Sequence, residues 1–245
     1  MKNPCVAHRG WSGAAPENTL AAIGMALDHP HIAMIEIDVH LSKDGVPVVI
    51  HDDTLERTTN GSGKVCEHTY DELRQLDAGS WFAAEYAMAR IPSLEEVLVV
   101  CRGKKRLNLE LKQAANRYQG LEEAVVQLIR RHGMQEQVVV TSFDQRSVKK
   151  VKQAAPELTV GPIIFGLPVL LQEQLAELGA GLLSLAYSYV SAELARDLAA
   201  QGVELIAWTL DDPDQMRAVA QMHETVQICT NHPDRWFAVA GLPAR

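Results

Sequence analysis

Residues 34–53 read MIEIDVHLSKDGVPVVIHDD, and the parsing of this stretch decides the fold. Ile35, Ile37 and Val39 alternate with Glu36 and Asp38. In a strand that spacing sends the aliphatic side chains to one face and both carboxylates to the other. Two acids on one strand face repel each other unless a cation stands between them. Lys43-Asp44-Gly45 then reverses or redirects the chain, and a second apolar run, Val46 to Ile50, ends in His51-Asp52-Asp53. Acids close one run and a histidine closes the next, as they do where a site is being assembled.

Outward from this stretch the chain alternates strand with helix. A short strand from Cys5 to Arg9 precedes it, and Pro16-Glu17-Asn18-Thr19 opens a helix with Leu20, Ile23 and Leu27 as its apolar stripe. After His51 comes a long polar passage rich in turn residues, about 52–92, too long for an ordinary connection and read as an inserted lobe. Ser93 caps the next helix, with Glu95 and Glu96 in its first turn. Later strands are expected at Leu107–Leu111, Val138–Phe143, Thr159–Phe165, Leu182–Ala186, Val203–Leu210 and Val226–Thr230. Helices are expected at Gln119–His132, Gln145–Ala155, Val169–Leu178, Ala192–Ala200, Pro213–Met222 and Pro233–Ala240. Eight strands, each followed by a helix, fit an α/β protein of the (β/α)8 TIM-barrel class, one domain over residues 1–245 with the small lobe inserted after the second strand. An open doubly wound sheet is the alternative, but no Gly-x-Gly-x-x-Gly follows the first strand.

Composition narrows the function. With 245 residues and 47% hydrophobic content the chain can bury a full core. A formal charge of −8 with no basic face argues against a nucleic-acid partner. Cys5, Cys66, Cys101 and Cys229 are scattered without the paired spacing of a zinc site, and read as reduced thiols. The N-terminus has no apolar signal core, and no run is long enough to cross a bilayer. The expectation is a cytoplasmic protein without stable membrane association. Its oligomeric state is not legible.

In a barrel the strand ends carry the chemistry. Here they supply His8, Arg9, Glu36, Asp38, His51, Glu110 and Lys112, with Trp208 near the end of the seventh strand and Asn231 after the eighth. Three carboxylates offer hard oxygens suited to Mg²⁺ or Ca²⁺ and leave coordination positions for water and substrate. Arg9 can grip a phosphate with its fork and Lys112 adds a point charge. Two histidines supply an acid and a base near neutral pH. Together these describe cleavage of a phosphate ester.

The same residues resemble a known family. HRG at 8–10, PENT at 16–19, EID at 36–38, LSKDGVPVVIHDDTLERTTNG at 41–61, DAGSWF at 77–82 and LNLELK at 107–112, with the endings around Trp208 and Thr230-Asn231, are similar to the glycerophosphodiester phosphodiesterases, most of all to the short cytosolic bacterial type. The resemblance implies a (β/α)8 barrel that hydrolyses glycerophosphodiesters to sn-glycerol 3-phosphate and an alcohol. It implies Glu36, Asp38 and Glu110 as holders of a divalent metal, Mg²⁺ or Ca²⁺. His8 and His51 become the acid–base pair, and Arg9 and Lys112 the phosphate grip. Trp208 and Phe143 either line the pocket beside the glycerol or belong to the core. His40, on the parity of Glu36 and Asp38, is read as a loop histidine beyond the strand. Asp53 is read as structural or as supporting the site, Glu17 as orienting Arg9 or His8, and Asn231 is given no role. Two alternatives remain. One is a related phospholipase D-like phosphodiesterase acting on lysolipid or sphingolipid head groups, whose members typically lack the lobe. The other is a barrel that binds without catalysis, against which every matched position carries a competent residue. A carbonyl hydrolase is disfavoured, since no Gly-x-Ser-x-Gly elbow is present.

Overall fold

The computed structural model describes residues 1–243. In chain order the elements are β1 (Cys5–His8), α1 (Leu20–Asp28), β2 (Ile32–Leu41), β3 (Pro47–Val49), α2 (Tyr70–Leu73), α3 (Leu94–Cys101), β4 (Arg106–Leu111), α4 (Leu121–Arg131) and β5 (Val138–Ser142). There follow α5 (Gln145–Ala154), β6 (Thr159–Ile164), α6 (Leu171–Leu178), β7 (Leu182–Ala186), α7 (Ala192–Ala200), β8 (Glu204–Trp208), α8 (Pro213–Ala220), β9 (Gln227–Thr230) and α9 (Pro233–Ala240). All strands but β3 run parallel, and pairing of β1 with both β2 and β9 closes the sheet into an eight-stave barrel. The strand–helix alternation is therefore a closed barrel and not an open sheet.

The stretch that opened the reading explains the ninth strand. Gly45 takes the left-handed conformation (φ +80°), its N–H donates to Ser42 O, and the Ser42 side chain accepts from Val46 N. That tight turn folds β3 back antiparallel on β2, pairing Val39 with Val49 and His40 with Val48. The second apolar run is thus a hairpin arm, and it carries His51 to the barrel mouth.

Strand parity divides the core as the alternation requires. Ile35, Ile37 and Val39 pack outward with the helices, while Met34 joins Val6, Val139, Leu182, Ile206 and Cys229 inside the barrel. Glu36 and Asp38 share Met34's parity and lie one and two steps further along the strand, toward its C-terminal end. Thr19 caps α1 and Ser93 caps α3, the latter in a reciprocal capping box with Glu96. The segment between β3 and α3 packs around its own small cluster, including Leu55, Val65, Leu73, Ala78 and Ile91. Two strands stop one residue earlier than the sequence suggests. β5 ends at Ser142 and β6 at Ile164, which leaves Phe143 and Phe165 beyond the ladder and exposed.

Candidate active site

β2 and β4 are neighbouring staves, and their register sets Asp38 beside Glu110 and Glu36 beside Asn108. One carboxylate oxygen from each of Glu36, Asp38 and Glu110 lies within 4.8 Å of the other two. Asp38 Oδ2 accepts from Asn18 Nδ2 at 2.8 Å, and Glu36 Oε2 accepts the Arg9 backbone N–H at 3.0 Å. The second oxygens, Glu36 Oε1 and Asp38 Oδ1, are buried without a hydrogen-bond donor among the described residues. Lys112 Nζ stands 3.1 Å from Asp38 Oδ1 as an ion pair and donates to Glu110 Oε1 at 2.7 Å. Arg9 Nε is 3.4 Å from Asp38 Oδ2. Arg9 reaches this position from a left-handed backbone (φ +57°), and Gly10 follows it at φ +78°, where a Cβ would sit 2.7 Å from the Ala22 carbonyl carbon. That contact explains the glycine of the HRG run.

Charge explains what these carboxylates can hold. Burial, then Asp38 and Glu110, drives Glu36 well above the usual carboxylate range. Burial and Asp38 push Glu110 up to about 7, against the pull of Lys112. Burial also works to raise Asp38, but Lys112 and Arg9 outweigh it and hold the group below its ordinary value. Two acids that resist ionisation, Glu36 and Glu110, with Glu36 Oε1 lacking a donor among the described residues, fit a hard divalent cation, which supplies the charge that protons would otherwise supply. Metal binding at neutral pH therefore displaces a proton, and apparent affinity falls as pH drops below about 7, where Glu110 keeps its proton. Titration calorimetry at pH 6.5 in buffers of different ionisation enthalpy reads that proton; identical heats in every buffer would contradict it.

The two histidines line one cavity with Glu36 and Glu110 and have different partners. His8 Nδ1 bonds Asn231 Oδ1 at 2.7 Å, and Asn231 Nδ2 donates to Asp211 Oδ2 at 2.6 Å. Asp211 accepts only, so it orients the amide with its oxygen toward His8 and makes His8 Nδ1 the donor. The His8 Nε2 lone pair then faces the site. Burial, with Arg9 beside it, lowers His8 to about 4, so its imidazole is neutral at pH 7. His51 Nδ1 instead contacts the Asp52 carboxylate at 2.6 Å. Burial lowers His51 as well, with Asp38 pulling the other way. Asp52 is gripped by Arg57, whose guanidinium also pairs with Glu17, and Glu17 holds Arg9 at 2.9 Å. A continuous chain, Arg9–Glu17–Arg57–Asp52–His51, ties the two sides of the mouth together through the inserted lobe.

The remaining candidates find their places. Trp208 and Phe143 meet edge to face at 5.7 Å and form a wall of a cavity of about 170 Å³ that also holds His8, Arg9 and Lys112. Trp208 also packs against the cluster inside the barrel, while Phe143 is exposed. A wider cavity of about 410 Å³ adjoins it, lined by polar groups including His51, Asp52, Gln113 and Arg117. His40 corrects the sequence reading. It lies within β2, which the hairpin extends to Leu41, and is buried. There it bonds Tyr118 Oη at 2.6 Å and the His51 carbonyl at 2.9 Å, so it fixes the backbone of His51. Asp53 pairs with Arg117 at the rim, and Glu17 does hold Arg9. Asn231, given no role from sequence, is the direct partner of His8.

Compared with known proteins, residues 8–235 match the model of the glycerophosphoryl diester phosphodiesterase family. The chain belongs to that family. This glycerophosphoryl diester phosphodiesterase family member is 38% identical over 218 residues to a glycerophosphodiester phosphodiesterase of Caldanaerobacter subterraneus subsp. tengcongensis, covering 88% of this chain and 89% of the relative. It is 32% identical to a glycerophosphodiester phosphodiesterase of Bacillus subtilis, covering 96% and 85% of the two. Among solved structures it superposes on an Oleispira antarctica phosphodiesterase in complex with the product sn-glycerol-3-phosphate, with a TM-score of 0.91, 33% identity, and 97% and 96% of the chains covered. A glycerophosphodiester phosphodiesterase from Agrobacterium tumefaciens aligns with a TM-score of 0.80 at 30% identity, over 96% and 99%. Family members are hydrolases of phosphodiesters, and every site residue named above lies inside the matched span. Among the described residues no helix is long and apolar enough to cross a membrane.

Proposed function

We propose that this protein is a divalent-metal-dependent phosphodiesterase that splits glycerophosphodiesters into sn-glycerol 3-phosphate and an alcohol. The observation that carries the reading is the meeting of Glu36, Asp38 and Glu110 with Arg9 and Lys112 between two histidines at one mouth. When bound, a hard cation (Mg²⁺ or Ca²⁺) held by the three carboxylates supplies positive charge against the phosphoryl oxygens. Arg9 and Lys112 grip the remaining phosphate charge. We take residues 1–245 as one domain with the lobe of about 52–92, acting in the cytoplasm on a small-molecule substrate.

The unlike partners of the two histidines divide their labour. His8, neutral with its Nε2 lone pair free, takes the proton from the glycerol 2-hydroxyl. The freed oxygen attacks phosphorus, whose bond to the leaving alcohol breaks. His51 enters this step as the imidazolium, which Asp38 and the Asp52 carboxylate favour against burial, and gives its Nε2 proton to that alcohol. Water then opens the resulting cyclic phosphate, with His51 taking its proton and His8 returning one to the 2-oxygen. An attacking hydroxyl already on the substrate gains a large proximity advantage over a separate water. The buried Trp208 indole N–H lacks a partner among the described residues and is free to donate to a glycerol oxygen.

Two assays test this. A panel of glycerophosphodiesters should release sn-glycerol 3-phosphate only when Mg²⁺ or Ca²⁺ is supplied, and absence of product across the panel refutes the activity. A 2-deoxy analogue should bind with similar affinity yet turn over at least roughly a hundredfold more slowly, while glycerol 1,2-cyclic phosphate is hydrolysed. Normal turnover of the 2-deoxy analogue assigns the attack to water instead.

A further inference from the structure

Of the groups given a metal, phosphate or proton-carrying role, His51 alone stands off the parallel ladder. It comes two residues after β3, the antiparallel hairpin arm. Its side-chain partner Asp52 is itself partly exposed at the rim. A proton carrier placed this way needs a firmer tie to the carboxylates it works beside, and the main chain supplies one. The Ile50 N–H donates to the Asp38 carbonyl at 3.1 Å, and His40 Nε2 meets the His51 carbonyl at 2.9 Å. Both anchors belong to β2, the stave of Glu36 and Asp38.

His40 and Tyr118 are buried polar residues that the proposed chemistry does not use. A carbonyl only accepts, so His40 Nε2 carries the proton. Burial keeps the ring neutral and leaves Nδ1 a bare lone pair. Tyr118 Oη, 2.6 Å away, fills that lone pair as a donor, with the two rings edge to face. The Tyr118 hydroxyl thus selects the one His40 tautomer that can hold His51. Tyr118 is fixed in turn by Gln113, the residue directly after Lys112. Gln113 Nε2 donates to Tyr118 O at 2.8 Å, and Gln113 Oε1 accepts the Tyr118 N–H at 3.0 Å. A buried polar pair contributes little net stability over an apolar pair of the same shape; what it supplies is direction. We propose that His40 and Tyr118 are positioning residues, a relay that fixes the His51 main chain against the carboxylates so that the His51 ring reaches the departing alcohol. The inference rests on the proposed role of His51 as proton donor.

The test uses the Mg²⁺-loaded enzyme and two glycerol phosphodiesters with unlike leaving groups. Choline leaves glycerophosphocholine as an alcohol that needs a proton, whereas glyceryl p-nitrophenyl phosphate releases a phenolate that needs none. Single-turnover rates read the bond-breaking step by itself. In Tyr118→Phe and in His40→Leu, cleavage of glycerophosphocholine should slow by at least about tenfold, the scale of a small misplacement of a reacting group. Affinity for the diester and release of p-nitrophenolate should stay close to wild type. His40→Gln, whose amide sets an N–H near the place of Nε2, should recover most of the lost rate. Thermal melts check folding, and Tyr118→Phe, which removes one hydroxyl, carries the test where His40→Leu is unstable. No slowing in a folded variant, or equal slowing of both diesters, makes the pair structural and overturns the proposal. His51→Ala is the control. Equal rates with both diesters relative to wild type in that variant refute His51 as donor, and the proposal falls with that reading. Discrimination by His51→Ala without discrimination by Tyr118→Phe overturns the relay and leaves the donor in place.

Discussion

His51→Ala lowers kcat by roughly a hundredfold or more, the usual contribution of a positioned acid–base group and about 2.7 kcal/mol of barrier. The melting temperature changes little, because His51 stands half-exposed at the mouth and Asp52 keeps Arg57 as a partner when the ring is gone. His8→Ala has a similar effect on kcat. Its loss leaves Asn231 Oδ1 with the Ser12 hydroxyl as donor, so no buried acceptor is orphaned. Steady-state kinetics beside a thermal melt separates chemistry from folding for both variants. Normal kcat in His51→Ala makes His51 a structural residue and removes the acid–base pair.

Exhaustive chelation has the second large effect, loss of turnover to the level of the histidine variants or below. Without a cation, Glu36 and Glu110 are pushed toward their protonated forms, and Lys112 is held by Asp38 and Glu110 instead of by phosphate. Adding Mg²⁺ or Ca²⁺ restores activity. Glu110→Gln removes one hard oxygen ligand and one countercharge of Lys112, so metal is bound more weakly and the metal concentration for half-maximal rate rises. Elemental analysis alongside the assay decides the matter: full activity with no metal present removes the role given to all three carboxylates.

What could be read from sequence was what is local. The period of two along residues 34–39 already placed Glu36 and Asp38 on one face, and the same period in LNLELK placed Glu110 and Lys112 with them. The closed barrel followed from repetition of strand and helix. Contacts between distant segments were not legible. His8 and Asn231 are 223 positions apart, and Arg57 meets Glu17 across 40. No spacing rule reaches that far, and an asparagine after a strand has many ordinary uses. His40 was misread because hairpin pairing with Val48 prolongs β2 past Val39, and that extension depends on β3. Its parity with Asp38 was the available clue. The expected strands Val138–Phe143 and Thr159–Phe165 each run one residue too far, because only the ladder shows that Phe143 and Phe165 lie just beyond it.

The arginine–carboxylate chain through the lobe divides the catalytic apparatus into parts of separate provenance. The carboxylates, Lys112 and His8 stand on barrel staves or directly after them, and His8's partners Asn231 and Asp211 follow other staves. His51 follows the returning arm of the β2–β3 hairpin, and its Asp52 is set by Arg57, which belongs to the insertion. The proposed metal site and phosphate grip thus stand on the barrel, whereas the proposed second proton carrier, His51, directly precedes the inserted module and is held from it through Asp52 and Arg57. An engineer who trims or exchanges that module would keep a barrel equipped to bind the diester while detuning the group that releases its alcohol.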